Sequence, residues 1–246
     1  MKYILSVDGV SVEALFNKFE GAENAKRFLR GELVVVEASF LQQLQQASLP
    51  PLDNSALYET LGMKDQYAKA MEGKKMPAQD PNLWDLLVLP EVTCNLIMAK
   101  FQGLGLATSD WCRDWDASLD PKYEGPKEEG PYLLGFTRSL TGEPSNESAN
   151  QRWKKFQDGV EGYNDPILRD GLLLDLGVYL ATGKKQLLNL EKLTRTRSRF
   201  RYGYVAVFDA NPGGVLVNGD GPDYAYPFAR VRPAVSRQLE PSGAKA

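Results

Sequence analysis

Residues 194 to 237 read TRTRSRFRYGYVAVFDANPGGVLVNGDGPDYAYPFARVRPAVSR. The stretch decides the fold class because it spells short strands punctuated by turns. Strands are expected over Leu193–Arg197, Val205–Phe208, Val215–Asn218 and Ala229–Val235, with Asn211, Pro212, Gly213 and Gly214 as a turn. Seven aromatics lie between Phe200 and Arg230, in 31 residues, against eighteen in the other 215. Period-two alternation sets Val215 and Val217 opposite Leu216 and Asn218, and Tyr202 and Tyr204 on one side. Tyrosine on loops and strand edges supplies rigid contact area with a polar tip, which is what binding surfaces use. The competing reading buries the rings, yet the Gly, Asn and Asp between them leave little regular structure to bury them in. An exposed face is therefore expected. From Phe200 to Arg230 there is also no Lys, Glu, Gln, Met, Trp, Ile, Ser, Thr or Cys, although Lys, Glu and Gln abound elsewhere. An ordinary exposed segment contains some of these.

The supporting segment before it is helical. Asp165-Pro166 opens PILRDGLLLDLGVYLATG, whose apolar residues nearly encircle the helix, so burial on most sides is expected, with Gly183 as its stop. Ser148 or Asn150 caps a helix bearing Trp153 and Phe156, and Tyr132–Phe136 reads as a strand. PKYEGPKEEGP, residues 121–131, reads as a linker or long loop. The expected organisation is a mainly helical region at 1–120, that linker, a ligand-binding domain at 132–239, and a frayed tail at 240–246.

In the first region, strands are expected at Lys2–Val7 and Leu33–Val36. Helices are expected after Ser11, at 22–29, around Phe40–Gln46, after Asp53 or Asn54, and around Tyr67–Met71. A further helix is expected after Asp80-Pro81, carrying Leu83, Leu86 and Leu87, and a buried one over Val92–Phe101 ending at Gly103. In Trp111-Cys112-Arg113-Asp114-Trp115-Asp116, a metal set of Cys112, Asp114 and Asp116 competes with two packed indoles whose acids cap or pair with Arg113. The packing reading is favoured, and no metal or other cofactor is expected.

Composition narrows the chemistry. With 246 residues, 43% hydrophobic, 25% charged and a net charge of −3, the chain has an ordinary globular composition without a basic field for nucleic acid. No apolar run suits membrane insertion and no leader is evident, so a cytoplasmic location is expected. There is no histidine, so any enzyme must run on carboxylates, Lys, Arg, Tyr or Cys. Two cysteines, Cys94 and Cys112, permit one disulfide and no framework.

The series Leu180-Ala181-Thr182-Gly183-Lys184, Leu193-Thr194, Ser198-Arg199, Gly203, Val205, Val215, Val217, Pro222-Asp223 and Arg230-Val231-Arg232 resembles the variable proteins of diversity-generating retroelements. These have a C-type lectin fold of the formylglycine-generating-enzyme type, whose core runs strand, two helices, four strands. The resemblance covers roughly Tyr132–Val235. It implies an α+β chain with a C-type lectin-like C-terminal half and a non-enzymatic, sequence-variable binding face. In such families adenines are randomised in codons ending in a pyrimidine, which never become Lys, Glu, Gln, Met or Trp.

The implied variable positions are Phe200, Tyr202, Tyr204, Val207, Asp209, Asn211, Pro212, Gly214, Leu216, Asn218, Asp220, Gly221, Tyr224, Tyr226 and Phe228. Gly203, Val205, Val217, Pro222, Asp223, Arg230 and Arg232 would be scaffold. The implied partner is a macromolecule, foremost a protein, or a small molecule. Two tryptophans expected near Ala210 and Gly219 are absent. The related enzymes need cysteines in the C-terminal part, where this chain has none, so that activity does not transfer. Other readings stay open: a carboxylate enzyme using Asp209, Asp220 and Asp223 with Arg230 or Arg232; a calcium-dependent lectin using Asn218, Asp220 and Asp223; and an assembly component whose aromatic face is an oligomer interface.

Overall fold

LRDGLLLDLGVYLA is apolar at nearly every position, and the helix it forms is the centre of the core. The computed structural model describes residues 49–124, 130–140, 142–184, 187–188, 193–211, 214–225 and 229–243. The chain divides into Met1–Leu44, which lies outside the described residues with the strands and helices expected there, and a compact unit from Gln45 to Ala246.

In chain order the unit contains helices α1 (Asn54–Thr60) and α2 (Lys64–Ala70), strands β1 (Lys74–Lys75) and β2 (Leu83–Val88), helix α3 (Cys94–Gly103) and strand β3 (Ala107–Thr108). Short helices α4 (Trp115–Ser118) and α5 (Pro121–Glu124) precede β4 (Tyr132–Thr137) and β5 (Glu143–Pro144). Helices α6 (Ala149–Gln157) and α7 (Leu168–Ala181) lead into β6 (Leu193–Arg199), β7 (Val205–Asn211), β8 (Gly214–Asp220), β9 (Arg230–Val231), β10 (Ala234–Arg237) and β11 (Glu240–Pro241). The architecture is α+β. Two larger sheets run β10-β4-β2 and β3-β8-β7-β6-β9-β5.

Ten residues of α7 are buried, among them Leu172, Leu173, Leu176 and Val178. Close approach of helix to sheet is set by Gly171, where a Cβ would stand 2.9 Å from the Phe208 ring. The expected Ser148 cap is present as a reciprocal capping box with Gln151. A buried ion pair, Arg152 to Asp165 at 2.6 Å through both carboxylate oxygens, ties α6 to the segment entering α7.

Strand β2 corrects one expectation. Leu83, Leu86 and Leu87 fit helical spacing, but the segment is a strand pairing antiparallel with β4, Leu86 opposite Leu134. A six-residue segment with five apolar residues around Asp85 fits either reading, and the available partner strand decides. Its outer edge is closed by side chains of α1 instead of a further strand. Asn54 donates Nδ2 to Asp85 O at 2.8 Å and accepts from Leu87 N at 2.9 Å. The Tyr58 hydroxyl donates to Leu87 O at 2.8 Å and accepts from Leu89 N at 3.1 Å. Covering a sheet edge in this way blocks further strand addition. Tyr58→Phe leaves two buried backbone groups unpaired and is expected to lower stability by about 1–3 kcal/mol in denaturant titration.

The boundary expected near residue 120 does not separate two cores. Leu57, Leu86, Ile97 and Phe101 share one buried cluster with Leu134, Leu172 and Phe208. Nor does residue 121 begin a free linker. Lys122 N is capped by Asp120, and Tyr123 lies 5.0 Å from the Trp153 ring and beneath Arg199 at 4.3 Å. Residues 125–129 lie outside the described ones. At the other end, Glu240–Pro241 pairs with β1 and Glu240 meets Lys75 at 3.2 Å, so the segment expected to fray is paired. Among the described residues no helix is long and apolar enough to cross a membrane.

Candidate binding face

The face is built where β6 turns into β7. Phe200, Arg201, Tyr202 and Gly203 form a tight turn closed by Gly203 N to Phe200 O at 2.8 Å. Gly203 has φ +93, a left-handed conformation that a side chain would strain. The turn throws Tyr202 and Tyr204 outward, 58% and 50% exposed, while Phe200 between them and the core is fully buried. The rings form a row. Trp115 meets Trp111 edge-on at 4.9 Å, Trp111 meets Phe200 at 5.3 Å, Phe200 stacks on Tyr202 at 5.3 Å and 8°, and Tyr202 leans on Tyr204 at 5.7 Å. The inner end of the row is core and the outer end is displayed. Burial at its base holds the Tyr202 phenol above its ordinary pKa.

Strand β8 carries the rest. Val215 and Val217 are buried, Leu216 is half-buried and Asn218 exposed, the alternation expected from the sequence. Beyond them Gly219 and Gly221 leave room for rings. A Cβ at Gly219 would stand 3.1 Å from Tyr204 Cβ, and one at Gly221 would stand 2.4 Å from the ring of Tyr224. Gly219, near the end of β8, and Gly221, just past it, thus each lie against a tyrosine, and Tyr224 is 64% exposed.

The loop bearing Tyr224 is held from beneath. Arg195, 1% exposed, donates to Asp220 Oδ2 and Tyr224 O, both at 3.1 Å, and to Glu147 O at 2.7 Å. Asn150 of α6 donates its N–H to Pro222 O at 3.1 Å and its Nδ2 to Asp223 Oδ1 at 2.6 Å. Its own Oδ1 accepts from Arg199 at 2.5 Å.

Trp111 joins the row unannounced by its local sequence, which points only to packing: it packs against Trp115 and Phe200 and is also 47% exposed. Trp111 Nε1 donates to Val217 O at 2.8 Å, and Ser109 Oγ exchanges hydrogen bonds with the same residue at 2.9 Å. These bonds carry on from the parallel pairing of β3 with β8 at Gly214 and Val215. No local signal connects residues 106 apart. The exposed edge of β8 makes the connection. Asp114 and Asp116 cap helices, Asp114 on Ala117 N and Asp116 on Cys94 N and Asn95 N. Both cysteines are free thiols.

Several expected variable positions are not displayed. Phe200 and Val207 are buried, Val207 against Val205 and Ala149 under α6. Gly214 is buried because β3 runs beside it; a Cβ there would fall 2.1 Å from Ala107 O. Asp220 is buried in its pair with Arg195. Asp209, Leu216 and Gly221 are half-buried; Asp209 Oδ1 has no hydrogen-bond partner among the described residues, and burial raises its carboxyl pKa. Pro212, Tyr226, Phe228 and the side chain of Asn211 lie outside the described residues. The displayed members are Tyr202, Tyr204, Asn218 and Tyr224.

Three of the polar groups considered for chemistry are engaged in architecture, while Asp209 Oδ1 and Arg230 Nε are buried with no hydrogen-bond partner among the described residues. Asp220 pairs with Arg195, Asp223 holds Asn150, and Arg232, 3% exposed, donates to Thr137 O at 3.0 Å over the Trp84 ring. Among the described residues no cluster of three or more Cys, Asp or Glu is placed to hold a metal ion. Compared with known protein families, curated proteins and solved structures, the chain matches none.

Proposed function

We propose that the protein is a recognition protein that binds its partner through Tyr202, Tyr204, Asn218 and Tyr224, with Trp111 at the margin. One observation carries this reading. Tyr202 and Tyr204, in ring contact with each other, stand in solvent with Tyr224 and Asn218 on a frame that is itself buried and hydrogen-bonded. Aromatic residues on a rigid base are what interface hot spots are made of. An apolar patch of this kind otherwise costs solubility.

We further propose that the face is a variable one on a C-type lectin-like core. Three features support this. The terminal strands β4 and β10 pair antiparallel, Ser236 opposite Leu134, with α6, α7 and the β6–β7–β8 meander between them in sequence. Scaffold positions inferred from the resemblance (Val205, Val217, Pro222 and Asp223) are buried or act as hydrogen-bonded anchors. The displayed tyrosines belong to the segment that lacks Lys, Glu, Gln, Met and Trp.

The test is a pair of displayed libraries. Randomising Tyr202, Tyr204, Asn218 and Tyr224 is expected to leave most members protease-resistant and to yield binders to a chosen protein target. Randomising Phe200, Val207, Gly214 and Asp220 is expected to leave few folded members. If both libraries lose folding equally, the four residues are structural and the reading fails. In the genome, the reading requires a nearby reverse transcriptase and a near-copy of this coding segment with mismatches confined to adenines.

A further inference from the structure

The three-stranded sheet β10-β4-β2 has two edges, and the chain treats them differently. The β2 edge is closed by Asn54 and Tyr58 of α1. The β10 edge is closed over a single residue. Asn164 O accepts from Ala234 N at 2.8 Å, and Asn164 Nδ2 donates to Ala234 O at 3.1 Å. Both backbone groups of Ala234 therefore point away from β4. In an antiparallel ladder that orientation recurs at every second residue, so Val235 and Arg237 turn toward Gly135 and Leu133, and Ser236 points outward again. Ser236 is exposed, and its N–H and C=O have no partner among the described residues. An open pair of strand groups is a template for another chain.

This open edge borders a cavity of about 860 Å³, whose wall includes Asn164, Ala234 and Ser236 together with Val92, Leu119 and Ile167. It falls in the size range of ligand sites. Most charges in its wall are held within the protein. Asp165 pairs with Arg152 at 2.6 Å, Asp170 with Arg169 at 3.0 Å and Arg237 with Asp85 at 3.0 Å. Asp116 accepts two backbone N–H groups, and Glu124 is hydrogen-bonded to Ser198 and attracted by Arg197. Arg201 is left over. Its Nε donates to Leu119 O at 3.3 Å, and it pairs with no carboxylate among the described residues.

We propose that β10 takes up an extended peptide segment of a partner protein as an added strand, its main chain hydrogen-bonded to Ser236 and an acidic side chain on Arg201. Every second side chain of that strand faces the cavity, against Val92, Leu119 and Ile167. A donor and an acceptor in strand geometry are the complement of a peptide backbone; a small anion would engage Arg201 and leave the edge open. A second copy of β10 fits less well. It runs on past Ser236 in both directions, and beside Ala234 the place of a neighbouring strand is already filled by Asn164. A peptide that begins or ends there meets no such obstacle.

Fluorescence-anisotropy titration of the full chain with capped hexapeptides of alternating valine and threonine tests this. One set carries a single glutamate at each position in turn, and matched sets carry glutamine or lysine there. At least one glutamate peptide is expected to bind, with its glutamine and lysine counterparts weaker by roughly tenfold or more. N-methylation of its backbone amides, one at a time, is expected to abolish binding at one position or more. Ser236→Pro removes only an N–H that points outward, a substitution edge strands accept, and is expected to keep the parental thermal melt and lose binding. Arg201→Gln is expected to remove the preference for glutamate over glutamine. Should Ser236→Pro fail to fold, the N-methylated peptides decide alone. Binding by no peptide, equal binding of the three sets, or binding that survives N-methylation at every position overturns the proposal. So does a dimer of the parent in sedimentation that Ser236→Pro turns into monomer, which would give the edge to a second copy. Tyr202→Ala with Tyr224→Ala is expected to leave peptide binding intact, so loss of the aromatic-face reading would not carry this one with it.

Discussion

Arg195→Met is expected to lower the unfolding free energy by about 3–5 kcal/mol. The guanidinium is nearly inaccessible and satisfies three acceptors from three parts of the chain: Glu147 O before α6, Asp220 at the end of β8, and Tyr224 O in the following loop. Methionine fills much of the volume but strands the Asp220 carboxylate, 8% exposed, without its counter-charge. A buried pair broken on one side costs more than the pair contributed, because the survivor keeps its desolvation penalty. Chemical denaturation of the variant against the parent measures the loss. The double variant Arg195→Met with Asp220→Leu is expected to recover a substantial part of it, and that recovery separates charge burial from loss of packing. A loss below about 1 kcal/mol in the single variant would mean that the clamp is incidental.

Phe200→Ala and Tyr202→Ala are expected to part company although the residues are two apart and both aromatic. Phe200 is fully buried between Trp111 and Tyr202, and its removal is expected to cost about 3–5 kcal/mol through lost burial and the cavity left behind. Tyr202 is more exposed than buried and has one stacked neighbour, so its removal is expected to cost about 0.5–1.5 kcal/mol. The same pair should reverse in a binding assay with a partner selected from the displayed library. Tyr202→Ala is expected to lose capture while keeping a cooperative melt near that of the parent. Equal losses of stability would place both rings in the core and remove the outer half of the face.

Much of the meander was legible along the chain. Val215-Leu216-Val217-Asn218 alternates, and the strand displays it, because one side of β8 is buried and a period of two is the geometry of a strand. The apolar wrap of α7 was legible for the same kind of reason: a helix apolar on all sides has to be surrounded. Strand β7 was less so. Val205 and Val207 pack under α6 while Ala206, Phe208 and Ala210 face the main core, so a strand covered on both sides shows no alternation to read.

The division of the aromatics was not legible in period or composition. Tyr202 and Phe200 are close neighbours of similar chemistry, and what separates them is Trp111, brought across from the segment after β3. Gly214 and Gly221 look like turn residues in the sequence, yet one is small because β3 passes beside it and the other because a tyrosine lies on it. Asp220 reads as a surface acid until Arg195, 25 residues earlier, is folded against it. Local periodicity and turn chemistry were enough to specify strands, helices and the segment that bears the face, since those depend on neighbours in the chain. Which ring is displayed, which glycine is obligatory and which acid is buried depend on residues remote in sequence, and only the packing of β3, α6 and β6 around β8 decided them.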